Sequence, residues 1–222
     1  MALPNTENVV EFLLARVAEL PPAARLALQR ASCVGDTFDL RLLAELGGTS
    51  AGAVQSDLRP AVEGGLVSPL GASWALGADE APELPEEAWR CRFVHDRVQQ
   101  AAYRSMNPAE VRETHLRLGW MIARRREGAW RFEVVKHLNL AADLVVDPTE
   151  RVTLARLNLD GRQALRAAAF GPAAEFFEAG LAALHPDAWE TDYELALGLH
   201  VDAAEAAYRL PPSNASRRSS TW

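Results

Sequence analysis

"WRCRFVHDRVQQAAY", residues 89–103, changes its period midway. Trp89, Cys91 and Phe93 alternate with Arg90, Arg92 and Val94, the pattern of a strand with one buried face. From Val98 the apolar positions recur at Ala101, Ala102 and Met106, the pattern of a helix. The switch falls on His95 and Asp96. The spacing predicts that Asp96 caps a helix over 97–105, with Gln99 completing a capping box three residues later. That structural reading leaves His95 unassigned at a helix N-terminus. Backbone N–H groups there favour an anion, so a phosphate near His95 is physically reasonable.

Upstream of this stretch the period is helical. "TENVVEFLLARVAEL" repeats Val9, Phe12, Leu13, Val17 and Leu20 at helical spacing, and Pro21–Pro22 ends that helix and starts the next. "AARLALQRASCVG" stacks Leu26, Leu28, Ala31 and Val34 before Gly35, and "FDLRLLAELGG" is a short helix closed by glycines. "SAGAVQSDLRPAVEGG" aligns Val54, Leu58 and Val62, although Pro60 should kink that helix or mark its start. "LVSPL" and "ASWAL" then read as short strands, and the acidic, proline-rich "ADEAPELPEEA" as a solvated loop. Three helices followed by a small β-hairpin is the layout of a winged helix.

Downstream the chain reads as helix throughout, near 108–126, 131–144, 148–169, 172–184 and 188–209. "NPAE" at 107, "DPTE" at 147 and "DAWE" at 187 each place Asn or Asp three residues before Glu, the signature of a capped start. Gly161, Ala173, Phe177 and Gly180, closed by Pro186, approximate a tetratricopeptide repeat, in which small residues let two helices approach and an aromatic fills the gap. Ala164 stands where that repeat expects tyrosine. The expected fold is mainly α: a lid helix over 1–20, a winged helix over 21–106, a helical hairpin over 107–146, a degenerate antiparallel repeat arm over 147–210, and a disordered tail over 211–222.

Several chemistries find no support. No Gly-Lys pair and no GxGxxG occur, so the chain has no phosphate cradle of the P-loop or dinucleotide kind. "GTSAG" at 48–52 matches a nucleophile elbow literally, but a helix rather than a strand precedes it, and Ser50 reads as a helix cap. Cys33 and Cys91 stand in no metal-binding spacing, and Glu133 with His137 falls short of a metal site. His115 reads as a hydrogen-bonded, semi-buried residue, His185 as a loop residue and His200 as a packed helix position. The arginines at 125, 126 and 131 read as a solvated helix end. A net charge of −7 argues against wholesale binding to nucleic acid or anionic membranes. The third helix of the winged-helix layout carries Gln55 and Arg59 beside Asp57 and Glu63, a poor groove reader. With no signal peptide and no apolar run of membrane length, the expected location is cytoplasmic.

"RFVHDRVQQAAY" resembles the histidine–aspartate motif that closes the winged helix of STAND-type signalling ATPases. These include the NB-ARC proteins of plant immunity and the large bacterial ATPases found within serine/threonine and histidine kinase polyproteins. "ENVVEFLLARVAELPPAARLALQRASCVGDTFDL" resembles the segment after their ATPase core, and "VVKHLNLAADLVVDPTERVTLARLNLDGRQAL" the start of their helical-repeat arm. The resemblance spans about residues 7 to 210. It implies that the lid folds over a nucleotide in the resting state, that His95 reaches the β-phosphate of ADP, and that exchange for ATP frees the arm. It also implies an ATPase core before this segment, in cis or in trans, and protein partners for the arm. The chain itself is then expected to hold no cofactor and to be no enzyme. Truncated gene, split protein and fragment stay open as its origin. A winged-helix DNA-binding regulator is the alternative.

Overall fold

Helices α1 (Thr6–Glu19) and α2 (Pro22–Val34) meet at the proline pair. Pro21 stands outside α2 as its N-cap and Pro22 opens the first turn, where a missing N–H costs nothing. The structure, a computed structural model, describes residues 6–71, 74, 86–125 and 131–210. These are mainly helical, with one three-stranded antiparallel sheet, and divide after Leu118 into two units.

In the first unit α1 packs on α5 (Asp96–Arg104). Val10 and Val17 are buried there, whereas Val9 and Phe12 are exposed, and on α2 Leu26 is exposed beside buried Ala24, Ala27 and Leu28. Both helices are apolar over more than one face, so their neighbours choose which face is covered. Helical spacing aligns Val9 and Phe12 with Val17, and Leu26 with Leu28, without saying which of them is covered. Arg16 fixes α1 from the side, donating from Nη2 to the Gly64 carbonyl at 2.8 Å.

A strand not expected from the sequence, β1 (Thr37–Asp39), precedes α3 (Leu40–Gly47). Asp39 ends β1 and caps α3, accepting from Arg41 N at 2.7 Å and Leu42 N at 3.2 Å. Ser50 caps α4 (Ala51–Glu63), accepting from Ala53 N at 3.1 Å. Pro60 neither starts nor ends α4. The carbonyl it deprives of a partner belongs to Ser56, which is solvent-exposed. Strands β2 (Val67–Pro69) and β3 (Arg90–Phe93) complete the sheet in the order β1-β3-β2. Phe38 pairs with Cys91 and Val67 with Phe93, and all four side chains are buried. Phe38 and Phe93 pack with centroids 5.4 Å apart. Pro69 sits on an edge strand, where its missing N–H is tolerated.

Of the strand expected at 72–76 only Trp74 is described, and it is helical; its carbonyl accepts from Gln55 Nε2 at 3.3 Å. The rest of that strand, most of the acidic loop and the tail 211–222 lie outside the described residues. The strand expected from Trp89 begins one residue later, because Glu86–Trp89 forms a 3₁₀ turn. Trp89 is still buried, with the Arg41 guanidinium 5.6 Å from its ring centroid.

Helix α6 (Pro108–Arg125) starts on the expected reciprocal box: Asn107 Oδ1 accepts from Ala109 N at 2.9 Å, and Asn107 N donates to Glu110 Oε2 at 3.3 Å. The second unit continues with α7 (Arg131–Asn139), α8 (Pro148–Asn158), α9 (Gly161–Arg166), α10 (Phe170–Ala183), α11 (Ala188–Thr191) and α12 (Tyr193–Arg209). Asp147 caps α8 through Thr149 N and Glu150 N, but Asp187 makes no side-chain cap on α11.

The sequence suggested fewer, longer helices. The one expected over 131–144 stops at Asn139, and a 3₁₀ turn follows at Ala142–Leu144. The one over 148–169 breaks after Asn158, and the one over 188–209 breaks at Asp192. Asn158 is fully buried, and its amide exchanges two hydrogen bonds with Asn139, at 2.8 and 3.0 Å. Just beyond it, Leu159 N and Asp160 N turn to the carbonyls three residues back. Helix α10 packs against α8, α9 and α12. A Cβ on Gly161 would stand 2.8 Å from Phe176 Cβ, and one on Gly180 2.7 Å from Leu199 Cδ2, so these glycines set the helix spacing. Phe177 and Ala173 are completely buried between them.

Candidate functional site

The site is built where β3 runs into α5. On the central strand, burial alternates: Cys91 and Phe93 face the core while Arg90 and Arg92 are exposed. Phe93 N donates to the Asp36 carbonyl at 2.9 Å, and Val94 N to the Leu66 carbonyl at 3.1 Å. The strand is thus held on both sides up to Val94. His95, still extended at φ −148° and ψ 144°, is the last residue before the helix.

The helix cap differs from the sequence expectation. His95 is the N-cap, its Nδ1 accepting from Arg97 N at 3.1 Å, and Asp96 is already the first helical residue. Asp96 Oδ1 accepts from the same N–H at 2.9 Å. Gln99 does not close a box: its Nε2 donates to the Ser32 carbonyl at 3.1 Å, tying α5 to α2. The shift by one residue follows from the sheet. The cap must be the last extended residue, and the Val94–Leu66 bond places that residue at 95.

His95 and Asp96 have side chains 65% and 67% exposed. Nδ1 of His95 lies between the Arg97 N–H, which needs its lone pair, and Asp96 Oδ1, which needs a proton. With Nδ1 accepting from Arg97 N, the neutral ring carries its proton on Nε2. An imidazole N–H donor at a helix start can bind an anion. Arg97 is turned to Gln100, its Nη1 donating to Oε1 at 3.2 Å. The exposed Arg90 and Arg92, not singled out in the sequence, add positive charge to the strand that leads to His95. Their alternation with buried Cys91 and Phe93 was the available signal.

The other candidates take structural places. Ser50 caps α4, with no strand before it. His115 is buried, with Nε2 3.0 Å from the Tyr103 hydroxyl, and desolvation pushes the Tyr103 pKa up. His137 is buried. His185 is exposed beside Asp187, at 3.4 Å, and His200 Nδ1 lies 2.8 Å from the Ala196 carbonyl. The side chains of the basic run at 125, 126 and 131 lie outside those described. Burial pushes the thiols of Cys33 and Cys91 up to about 12, so both are protonated at neutral pH. Among the described residues no three His, Cys, Asp or Glu side chains group to hold a metal ion, and no helix is long and apolar enough to cross a membrane.

No protein-family profile matches the chain, and no solved structure matches it. The chain is similar to hybrid signal transduction histidine kinase G of Dictyostelium discoideum, with 21% identity over 253 aligned positions. The match covers 91% of this chain and 7% of that kinase.

Proposed function

We propose that the chain is the nucleotide-responsive lid and arm of a STAND-type signalling ATPase. An ATPase core, in cis or in trans, holds the nucleotide, and His95 donates from Nε2 to its phosphate. The observation that carries this reading is the position of His95. It is mostly exposed, is tied through Nδ1 at a helix start, and ends a strand with two outward arginines. The run α2, β1, α3, α4, β2, β3 follows the chain order of a winged helix, which supports a lid. The close approaches at Gly161 and Gly180 around Phe177 support a tetratricopeptide-like arm. The similarity to a signalling kinase fits the same setting.

The mechanism is a population shift. A nucleotide moves the lid only as far as its contacts differ between docked and released states. One charge-assisted hydrogen bond from His95 to a β-phosphate is worth about 1.5–3 kcal/mol, or roughly ten- to a hundredfold in that equilibrium. Phosphoryl transfer belongs to the core, and this chain is not itself a catalyst. The alternative, a DNA-binding regulator, would place α4 in the major groove. Gln55 is buried and bonded to the Trp74 carbonyl, leaving Arg59 exposed beside Asp57 and Glu63.

The reading requires a P-loop ATPase encoded in the same or a neighbouring reading frame, and the test is reconstitution with it. Fluorescent ADP should leave the complex about tenfold faster or more with His95→Ala. Unchanged release refutes the sensor role. ATP turnover by the isolated chain, lost in His95→Ala, refutes the non-catalytic one.

A further inference from the structure

The three-stranded sheet turns one face to the core, where Phe38, Val67, Cys91 and Phe93 are buried. The other face carries the exposed Arg90 and Arg92, and a polar row crosses it. Arg92 on the central strand stands opposite Thr37 on β1 and Ser68 on β2. Phe93 N bonds to the Asp36 carbonyl, so Thr37 and Arg92 are a pair without mutual backbone hydrogen bonds, the kind whose side chains stand closest. The Thr37 hydroxyl makes no hydrogen bond among the described residues, and the Ser68 hydroxyl reaches only the Pro69 carbonyl, at 3.5 Å. Among the described residues neither Arg90 nor Arg92 is ion-paired, in a chain with 30 acidic and 23 basic residues. The acid that faces Arg90 in the register, Asp39, is committed elsewhere: Oδ1 caps α3, and Oδ2 lies 3.7 Å from Arg41 Nη2.

We propose that the row Thr37–Arg92–Ser68 binds a phosphoryl group carried on a serine or threonine side chain of a partner protein. The donors decide the chemistry. A guanidinium fork alone satisfies the two oxygens of a carboxylate. A phosphomonoester has three terminal oxygens and a charge near −2, so it also employs the hydroxyls on either side of Arg92. Arg90, next outward on the same strand, adds to the attraction. The surroundings favour a phosphorylated segment over a free ion. Val94 is 57% exposed and alternates onto the face of Arg92; Leu70 is 50% exposed and is set beside Arg90 by the bond from Leu70 N to the Arg90 carbonyl. They give apolar footing to the residues flanking the phosphate. Two arginines in a chain of net charge −7 suit one phosphoryl group and not the run of phosphates in a nucleic acid. His95 follows Val94 in extended conformation, so alternation assigns it to the other face of the strand. The row is therefore a second anion site, independent of the nucleotide reading.

Amide NMR of the full chain tests it, with a short peptide carrying apolar residues on both sides of a central phosphoserine as the probe. The same peptide with serine, inorganic phosphate and a short DNA duplex are the comparisons. The phosphopeptide should shift the amides of Thr37, Ser68 and Arg92, and the serine peptide should not. Arg92→Gln removes a charge-assisted contact at an exposed position, so the fold should hold while the dissociation constant rises roughly tenfold or more. Thr37→Val with Ser68→Ala should raise it by about threefold or more, and His95→Ala should leave it unchanged. Four results overturn the proposal: no shift on the sheet, equal binding of the serine peptide, affinity indifferent to Arg92→Gln, or shifts confined to His95 and Arg97. Binding of inorganic phosphate without the peptide, an adventitious ion only, overturns it as well, and so does tighter binding of the duplex.

Discussion

Replacing His95 with alanine separates a ligand contact from a structural strut. Removing an N-cap side chain usually costs about 1 kcal/mol. Here the cost should be lower. The one N–H that His95 accepts, from Arg97, is also accepted by Asp96 Oδ1 at 2.9 Å. The His95 side chain is 65% exposed, so little packing is lost and water reaches the helix end. The expected cost is under about 0.5 kcal/mol. With a urea m-value of about 2 kcal/mol/M, the unfolding midpoint moves by less than about 0.3 M. Phe93→Ala, two residues earlier, is the internal standard. Phe93 is 3% exposed and packs on Phe38, so its loss should cost about 3–5 kcal/mol and move the midpoint by more than 1 M. Tryptophan fluorescence in urea measures both. A shift of about 1 M for His95→Ala would show that the ring holds the junction together, and the sensor reading would lose its basis.

Three further outcomes follow from the packing. Asn158→Leu leaves the half-buried Asn139 amide without its partner and should cost about 1–3 kcal/mol in urea unfolding, and the double change with Asn139→Leu should cost less than the two single costs added together. Gly180→Ala places a Cβ 2.7 Å from Leu199 Cδ2 and 3.0 Å from Asn158 Cβ, so overpacking of about 1–3 kcal/mol should outweigh the gain in helix propensity in the same assay. The two thiols ionise near 9 in the unfolded chain and near 12 in the fold, so the stability they contribute is full below pH 9 and is lost as pH rises from 9 to 12, by on the order of 1 kcal/mol per pH unit for each; Cys33→Ala with Cys91→Ala should flatten that decline in urea titrations at pH 8 to 10.5.

What was legible in the sequence was what local chemistry settles. Alternation alone placed Cys91 and Phe93 inward, and the Asn107–Glu110 box formed as its spacing required. The small residues Gly161 and Gly180 marked true close approaches. The failures lie where distant partners decide. β1 is three residues long, too short for any period, and exists because β3 pairs with it. Helices α1 and α2 carry apolar residues on several sides, and only their neighbours show that Val9, Phe12 and Leu26 stay outside. The chain breaks after Asn158 where its buried amide, paired with half-buried Asn139, meets a helix end, and nothing local announces Asn139 as the other half.

The cap of α5 belongs to the same class and bears most on function. Local preference favours aspartate over histidine at an N-cap, yet the sheet bond from Val94 to Leu66 fixes the last extended residue at 95. Had Asp96 been the cap, His95 would hang from a loop with both ring nitrogens uncommitted. As the cap, it is held through Nδ1, and Nε2 becomes the atom available to an anion. A strand-to-helix junction held by distant backbone bonds thus turns an exposed histidine into an oriented donor, which a phosphate sensor requires and a merely solvated side chain does not.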